Sequence, residues 1–135
     1  MTGKCFIDSN IWIYLLTDDD PAKAEHAGVL LSDVRQKVVS WQVVNEICAN
    51  LIRKKGRDES YVRTIINFIC ESCEMAELTL PLLEEASHLR ARYLISFWDS
   101  LIVVAALAAG CDTLISEDMQ NGQRYGRLTV RNIFV

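Results

Sequence analysis

Short apolar runs alternate along this chain with longer segments in which apolar residues recur at helical spacing. Because strands bury short runs and helices bury every third or fourth position, this alternation separates the two kinds of element. The predicted strands are 4–7, 38–40, 75–78, 113–116 and 128–135. The predicted helices are 10–16, 20–36, 41–55, 58–73, 81–94 and 99–109, and residues 117–126 are predicted to form a polar loop.

Local signals mark several of these boundaries. Asp20 followed by Pro21 is typical of a helix start, since Asp caps the helix and Pro fits its first position. Gly56 and Gly110 are placed to end the third and last helices. The last helix is apolar on all sides, which indicates that it is buried.

Alternating strands and helices favour an α/β fold with a mainly parallel central sheet. The chain has 135 residues without repeats or a linker-like segment, so we expect a single domain spanning 1–135. Sheets of this kind bind ligands beyond the carboxyl ends of their strands. That edge is therefore where functional side chains are expected.

The composition indicates the cellular compartment in which the protein is expected to fold. Its five cysteines are an odd number scattered through apolar segments, which favours free thiols in a reducing compartment over a disulfide scaffold. No signal peptide is recognisable, and the longest apolar stretch, Leu101–Ala109, is far below the roughly 20 residues of a membrane span. We expect a cytoplasmic protein that does not enter a membrane.

Four acids occupy positions at strand ends or on helices expected to flank the sheet: Asp8, Glu46, Asp99 and Asp118. Each has an ordinary interpretation by itself, as a helix cap, a solvated helix residue or a turn residue. Together they would crowd several carboxylates at one sheet edge, which is costly unless a cation neutralises them. A hard divalent ion with oxygen ligands resolves that cost, so the set predicts a metal site.

Basic and aromatic residues add candidate contacts to a substrate. The net charge of −4 argues against a general electrostatic attraction to nucleic acid, but a carboxylate cluster itself contributes to that charge. The densest basic run is Arg53, Lys54, Lys55 and Arg57, which is either a solvated helix end or a phosphate-binding patch. Four aromatic residues either belong to the core or stack on unpaired RNA bases: Trp12, Tyr14, Trp41 and Trp98.

These motifs resemble those of PIN-domain proteins over essentially the whole chain, and in particular the toxins of VapBC-type toxin–antitoxin pairs. The resemblance is carried by Asp8-Ser9-Asn10, Glu46, Phe97-Trp98-Asp99-Ser100-Leu101-Ile102 and Ser116-Glu117-Asp118-Met119-Gln120-Asn121-Gly122. It implies a three-layer α/β/α fold. It also implies a metal-dependent endoribonuclease whose products carry a 5′-phosphate and a 3′-hydroxyl.

The resemblance also assigns expected roles. Asp8, Glu46, Asp99 and Asp118 match the acids that bind one or two Mg²⁺ or Mn²⁺ ions, and Asn10 and Ser116 match polar positions that support them. Glu117 adjoins the fourth acid, so a share in that role stays open, although the family spacing favours Asp118. An RNA substrate, a homodimer and an antitoxin that covers the active site are the implied partners.

Two alternatives remain. A PIN-like module without catalysis would bind RNA or protein, but such members usually lose one of the acids, and all four are present here. Another magnesium-dependent α/β enzyme, such as an aspartyl-phosphate receiver, would need a downstream lysine, and no lysine follows Lys55. A dinucleotide-binding domain is excluded because the chain has no G-x-G-x-x-G.

Overall fold

A computed structural model of the chain describes residues 3–135. Within that part, a six-stranded sheet has the strand order β3-β2-β1-β4-β6-β5. The strands are β1 Lys4–Ile7, β2 Gln36–Ser40, β3 Glu74–Ala76, β4 Thr113–Ile115, β5 Arg124–Tyr125 and β6 Leu128–Arg131. The helices are α1 Ser9–Leu16, α2 Pro21–Asp33, α3 Trp41–Lys55, α4 Glu59–Ser72, α5 Leu80–Arg92 and α6 Phe97–Ala108.

The sheet is mainly parallel, as the sequence predicts. β1 pairs in parallel with β2 on one side and with β4 on the other, and only β5 runs antiparallel to its neighbour β6. The chain moves outward from β1 through β2 to β3, then returns across α6 to β4 on the opposite side of β1. The direction of winding therefore reverses between β1 and β4, and such a switch point opens a crevice at the carboxyl edge of the sheet.

The helices cover the sheet and complete the predicted three-layer α/β/α arrangement. β1 is buried on both faces, with Cys5, Phe6 and Ile7 fully inaccessible to solvent. α6 is buried along most of its length, which explains its uniformly apolar sequence. No helix of residues 3–135 has the length and apolarity needed to cross a membrane.

Several helix ends follow the sequence signals. The Asp20 side chain accepts a hydrogen bond from the Lys23 backbone N–H at the start of α2. Gly56 takes a left-handed conformation with φ of 59° and ends α3, a geometry that glycine adopts at little cost. Arg53, Lys54 and Lys55 lie in the last turn of α3, where cations are stabilised by the helix dipole.

Other boundaries differ from the sequence prediction. The polar loop 117–126 contains the short strand β5, because Arg124 and Tyr125 pair with β6 across a tight turn at Gly126. β6 ends at Arg131 instead of continuing to residue 135, and α2 ends at Asp33, where β2 soon begins. α6 starts earlier than predicted, since Ser96 and not Asp99 caps it.

The buried face of α3, which packs mainly against α1 and α4, should carry much of the stability of the fold. Leu51 is fully buried on this helix, whereas the adjacent Ile52 is exposed. We expect Leu51→Ala to lower the free energy of unfolding by about 2–5 kcal/mol, through lost burial and the cavity that remains. Ile52→Ala, the control, should change it by about 0.5 kcal/mol or less. Urea denaturation measures both, and equal losses would contradict the assigned face.

Candidate functional site

Asp8 lies at the switch point, directly after β1. Its backbone N–H donates to the Ile115 carbonyl oxygen of β4 at 2.9 Å, so the carboxyl ends of the two central strands are joined there. Its side chain caps α1, because Oδ1 accepts a hydrogen bond from the Ser9 backbone N–H at 2.7 Å. Oδ2 accepts one from the Ser116 hydroxyl, also at 2.7 Å. These contacts fix the carboxylate in one orientation.

The Asp8 carboxylate is held in an unfavourable electrostatic environment. The residue is only 4% exposed, and this burial raises the pKa of its carboxyl above the ordinary value. The hydrogen bonds from Ser116 and Ser9 oppose the shift, whereas the charges of Asp118 and Asp99 add to it. None of the ion pairs found among residues 3–135 involves Asp8. A buried acid without a basic partner is a recognised sign of a functional site.

Asn10 and Ser116 connect this acid to the loop that follows β4. The Asn10 side-chain amide donates to Asp118 Oδ2 at 3.0 Å, and its Oδ1 accepts from the Glu117 backbone N–H at 3.3 Å. The Ser116 hydroxyl accepts from the Asp118 backbone N–H at 3.3 Å while it donates to Asp8. Both polar residues selected from the sequence therefore hold acids of the cluster.

Glu46 and Asp99 approach the same edge from two helices. Glu46 lies in the second turn of α3, and Asp99 lies in the first turn of α6. Glu46 is exposed, yet the protein packed around its carboxyl group raises its pKa, and the charge of Asp8 raises it further. Asp99 and Asp118 make smaller contributions of the same sign. The fold thus brings all four predicted acids within electrostatic reach of one another.

The carboxylates are not gathered into a closed metal cage. In the range 3–135, no three or more His, Cys, Asp or Glu side chains are arranged as a ready set of metal ligands. Mg²⁺ does not require such a cage, because it usually keeps several waters and binds through one or two carboxylates plus substrate phosphates. The oxygen-only donor set and the buried, uncompensated Asp8 fit a hydrated divalent ion of this kind.

Three grooves are lined by one or more of the acids. A groove of about 300 Å³ runs along α3 past Glu46 and is lined by Arg53 and Lys54. A second, of about 520 Å³, extends from Glu46 to Trp98 and is mainly apolar. The third, of about 340 Å³, contains Asp99 and Asp118 and is mainly polar.

The predicted basic run divides into two pairs. Arg53 and Lys54 face the groove beside Glu46. Lys55 instead forms an ion pair with Asp19, and the Arg57 guanidinium lies 5.0 Å from the centre of the Tyr61 ring. The division depends on Asp19 and Tyr61, which contact Lys55 and Arg57.

The aromatic candidates also separate. Trp12 is 1% exposed and belongs to the core, whereas Trp41 and Trp98 are 50% and 63% exposed. Tyr14 is partly buried and donates its hydroxyl to Glu117 Oε1 at 2.6 Å. Lys23 of α2 also contacts Glu117, and the sequence does not predict this contact, because nothing in the spacing of α2 links it to a loop 94 residues away.

Together, the fold and these side chains define an α/β protein with a carboxylate cluster at the switch point of a mainly parallel sheet. The chain belongs to the PIN domain family, whose model matches residues 5–124. No curated protein sequence matches it.

Solved structures share this fold at low sequence identity. The VapC20 toxin of Mycobacterium tuberculosis, described as cleaving the sarcin–ricin loop, is 21% identical, with a TM-score of 0.69 over 84% of this chain and 91% of that chain. A toxin–antitoxin complex from Klebsiella pneumoniae is 18% identical, with a TM-score of 0.72 over 93% and 95%. VapBC-1 from nontypeable Haemophilus influenzae is 19% identical, with a TM-score of 0.68 over 98% and 99%.

The raised pKa of Glu46 has a consequence for stability. A carboxyl whose pKa is higher in the folded state than in the unfolded state destabilises the fold once both states are ionised, and has no effect below its unfolded pKa. Without metal, we therefore expect Glu46→Gln to melt at a higher temperature than the unsubstituted protein at pH 7.5. The difference should shrink as the pH falls towards the ordinary Glu value of about 4.3.

Thermal melts in EDTA across this pH range measure the effect. Glu77→Gln is a suitable control, because Glu77 is an exposed carboxyl outside the cluster and should give no comparable gain. A melting temperature for Glu46→Gln at or below that of the unsubstituted protein at pH 7.5 would contradict the electrostatic account.

Proposed function

We propose that this protein is a Mg²⁺- or Mn²⁺-dependent endoribonuclease and the toxin of a toxin–antitoxin pair. The observation that carries the proposal is the buried Asp8 carboxylate, which has no basic partner among residues 3–135 and whose pKa is raised by burial and by the charges of Asp118 and Asp99. A protein retains such a costly arrangement when a cation or a reaction makes use of it. Membership of the PIN domain family and the likeness of the fold to VapC toxins support the same function.

In this mechanism, Asp8, Glu46, Asp99 and Asp118 would hold the divalent ion. When bound, the ion would supply a water of lowered pKa and stabilise negative charge on the phosphodiester. Asp8 stays oriented because Ser9 and Ser116 each donate a hydrogen bond to it. Asn10 orients Asp118 in the same way. Glu46 and Asp99, which are less constrained, are candidates to accept the proton of the attacking water.

The grooves suggest how RNA reaches these acids. Arg53 and Lys54 lie beside Glu46 and would bind the phosphates of a strand that crosses the cluster, which offsets the repulsion between that strand and the carboxylates. The exposed Trp98 on the opposite side of Glu46 offers a surface on which an unpaired base would stack. An unpaired or locally opened RNA is therefore the expected substrate class.

The proposed partners follow from the comparisons and the surface. Toxin–antitoxin complexes are among the solved structures with this fold, which supports a cognate antitoxin. Exposed apolar side chains such as Leu78, Leu80 and Trp98 supply surface for an antitoxin or for a homodimer. The five free cysteines accord with the proposed cytoplasmic location.

Loss of single acids provides the first test. Purified protein free of antitoxin should cut a mixed RNA pool with Mg²⁺ or Mn²⁺ and lose that activity in EDTA. Asp8→Asn and Asp99→Asn should each lower the cleavage rate by about 100-fold or more. Loss of a group that only supports a metal ligand commonly costs about 10- to 100-fold, and loss of a ligand should cost at least as much. Gel analysis of the products, with 5′-phosphate detection, measures rate and product chemistry together.

Asp112→Asn is the matched control, because Asp112 is an exposed acid at the opposite end of the sheet, where its backbone N–H bonds to Lys4 at the start of β1. It should cut at the unsubstituted rate. Folded protein that cuts no RNA with either metal would contradict the nuclease function and favour a PIN-like binding module.

The two basic pairs of α3 give a second test. We expect Arg53→Gln combined with Lys54→Gln to raise KM about tenfold and to weaken its dependence on salt, because two phosphate contacts and their counterion release are lost. Lys55→Gln combined with Arg57→Gln removes the same charge from side chains that are engaged elsewhere. That control should change KM about twofold or less by steady-state kinetics. Equal effects would show that only net charge matters.

A further inference from the structure

A compact cluster adjoins the acidic site on its α2 side. The Glu117 carboxylate receives two strong hydrogen bonds, from the Tyr14 hydroxyl to Oε1 at 2.6 Å and from Lys23 Nζ to Oε2 at 2.5 Å. Lys23 Nζ also lies 4.9 Å from the centre of the Tyr14 ring and 5.1 Å from that of Phe134. The two rings pack edge to face, with their centres 5.3 Å apart.

The cluster is connected to the acidic site through the backbone of Glu117. This residue donates its N–H to Asn10 Oδ1 at 3.3 Å, and Asn10 in turn donates to Asp118 Oδ2 at 3.0 Å. The Glu117 carbonyl accepts a hydrogen bond from the Asn132 side chain at 3.4 Å. Glu117 is therefore held at its side chain, its N–H and its carbonyl. The adjacent Asp118 side chain is exposed, and within the described part of the chain its one hydrogen-bond partner is Asn10.

The two neighbouring acids of the loop thus have different partners. Both Glu117 oxygens are occupied by Tyr14 and Lys23, whereas Asp118 contacts the Asn10 amide beside Asp8. A side chain bound on both oxygens by a phenol and an ammonium is poorly placed to bind a metal ion as well. Its contacts instead fix the loop at the residue that precedes the site acid.

We propose that Glu117, bound by Lys23 and Tyr14, is a positioning residue that sets the orientation of Asn10 and Asp118 for metal binding. The proposal rests on the proposed metal-dependent function, which it deepens. The positioning role requires Lys23, the residue of α2 whose ammonium group binds the Glu117 carboxylate. Outer contacts of this kind orient ligands, and their loss commonly weakens metal binding by about 10- to 100-fold.

Two simpler roles, one for Glu117 and one for Lys23, predict that removal of Lys23 would strengthen metal binding. If Glu117 were itself a metal ligand, removal of Lys23 would free its carboxylate and strengthen metal binding. If Lys23 acted only through its charge, its removal would make the region more negative and would again strengthen binding of a cation. The positioning role predicts weaker binding, so the direction of the change separates it from both.

The experiment measures Mn²⁺ binding to the full-length protein by the electron paramagnetic resonance of free Mn²⁺. Lys23→Met removes the ammonium but keeps a flexible apolar stem over the Tyr14 and Phe134 rings. We expect its dissociation constant for Mn²⁺ to rise about tenfold, with cleavage lowered at subsaturating metal and recovered in part at high metal. Lys23→Arg should restore much of the affinity, because a guanidinium also donates to a carboxylate.

Lys4→Met is the matched control. Lys4 forms a 2.9 Å ion pair with Glu74, and its side chain is 31% exposed against 34% for Lys23. It starts β1, at the edge of the sheet opposite the acids. This control should leave the dissociation constant unchanged, and melting temperatures would verify that both variants fold. Unchanged or tighter Mn²⁺ binding by Lys23→Met would overturn the proposal.

A second readout is independent of metal and activity. The side-chain amide resonances of Asn10 in metal-free protein report its contact with Asp118, and they should shift or broaden in Lys23→Met but not in Lys4→Met. If the unsubstituted protein neither binds Mn²⁺ nor cuts RNA, the proposed function fails, and this readout alone decides whether the Glu117 contacts orient Asn10. Identical Asn10 resonances in all three proteins would then overturn it.

Discussion

The central constraint of this structure is the concentration of negative charge at the end of its most buried strand. Asp8 follows three fully buried residues of β1, and three further acids converge on it from α3, α6 and the segment after β4. Burial and mutual repulsion both oppose ionisation of this group. The surrounding structure tolerates the cost because hydrogen bonds from Ser9 and Ser116 stabilise the charged form.

The fold supplies this arrangement by topology. Since the winding direction reverses between β1 and β4, the segments that follow these strands are brought together without any long loop. Short polar side chains then connect them, with Asn10 on the β1 side and Ser116 on the β4 side. The acids on the helices are less constrained, which leaves room for an ion and its water shell.

Much of this could be predicted from the sequence because the signals are local. The apolar run before Asp8, the Asp20-Pro21 helix start and the glycine after α3 each act within a few residues, and the structure confirms them. The sequence does not predict β5, because a two-residue strand has almost no pattern of its own and forms only by pairing with β6. It predicts too late a start for α6, because Ser96 and Asp99 are both good caps and only the fold selects between them.

The contacts of residues around the site are harder to predict from the sequence where the partners are distant in the chain. The roles of the acids as ligands stay a prediction, although the structure brings all four together. The division of the basic run depends on Asp19 and Tyr61, which helical periodicity cannot identify. Lys23 is an ordinary solvated helix residue in the sequence, and only the packing of α2 against α1 brings it to Glu117.

The pairing of β1 with β4 also affects when the site can form during synthesis of the chain. The hydrogen bond between Ser116 and Asp8 spans 108 residues, so Asp118 is synthesised long after Asp8. Contacts with such long sequence separation form only after the intervening chain is available to close the loop. A chain still emerging from the ribosome therefore has separate acids but no assembled cluster. The site therefore assembles only after β4 and the segment that follows it have left the ribosome.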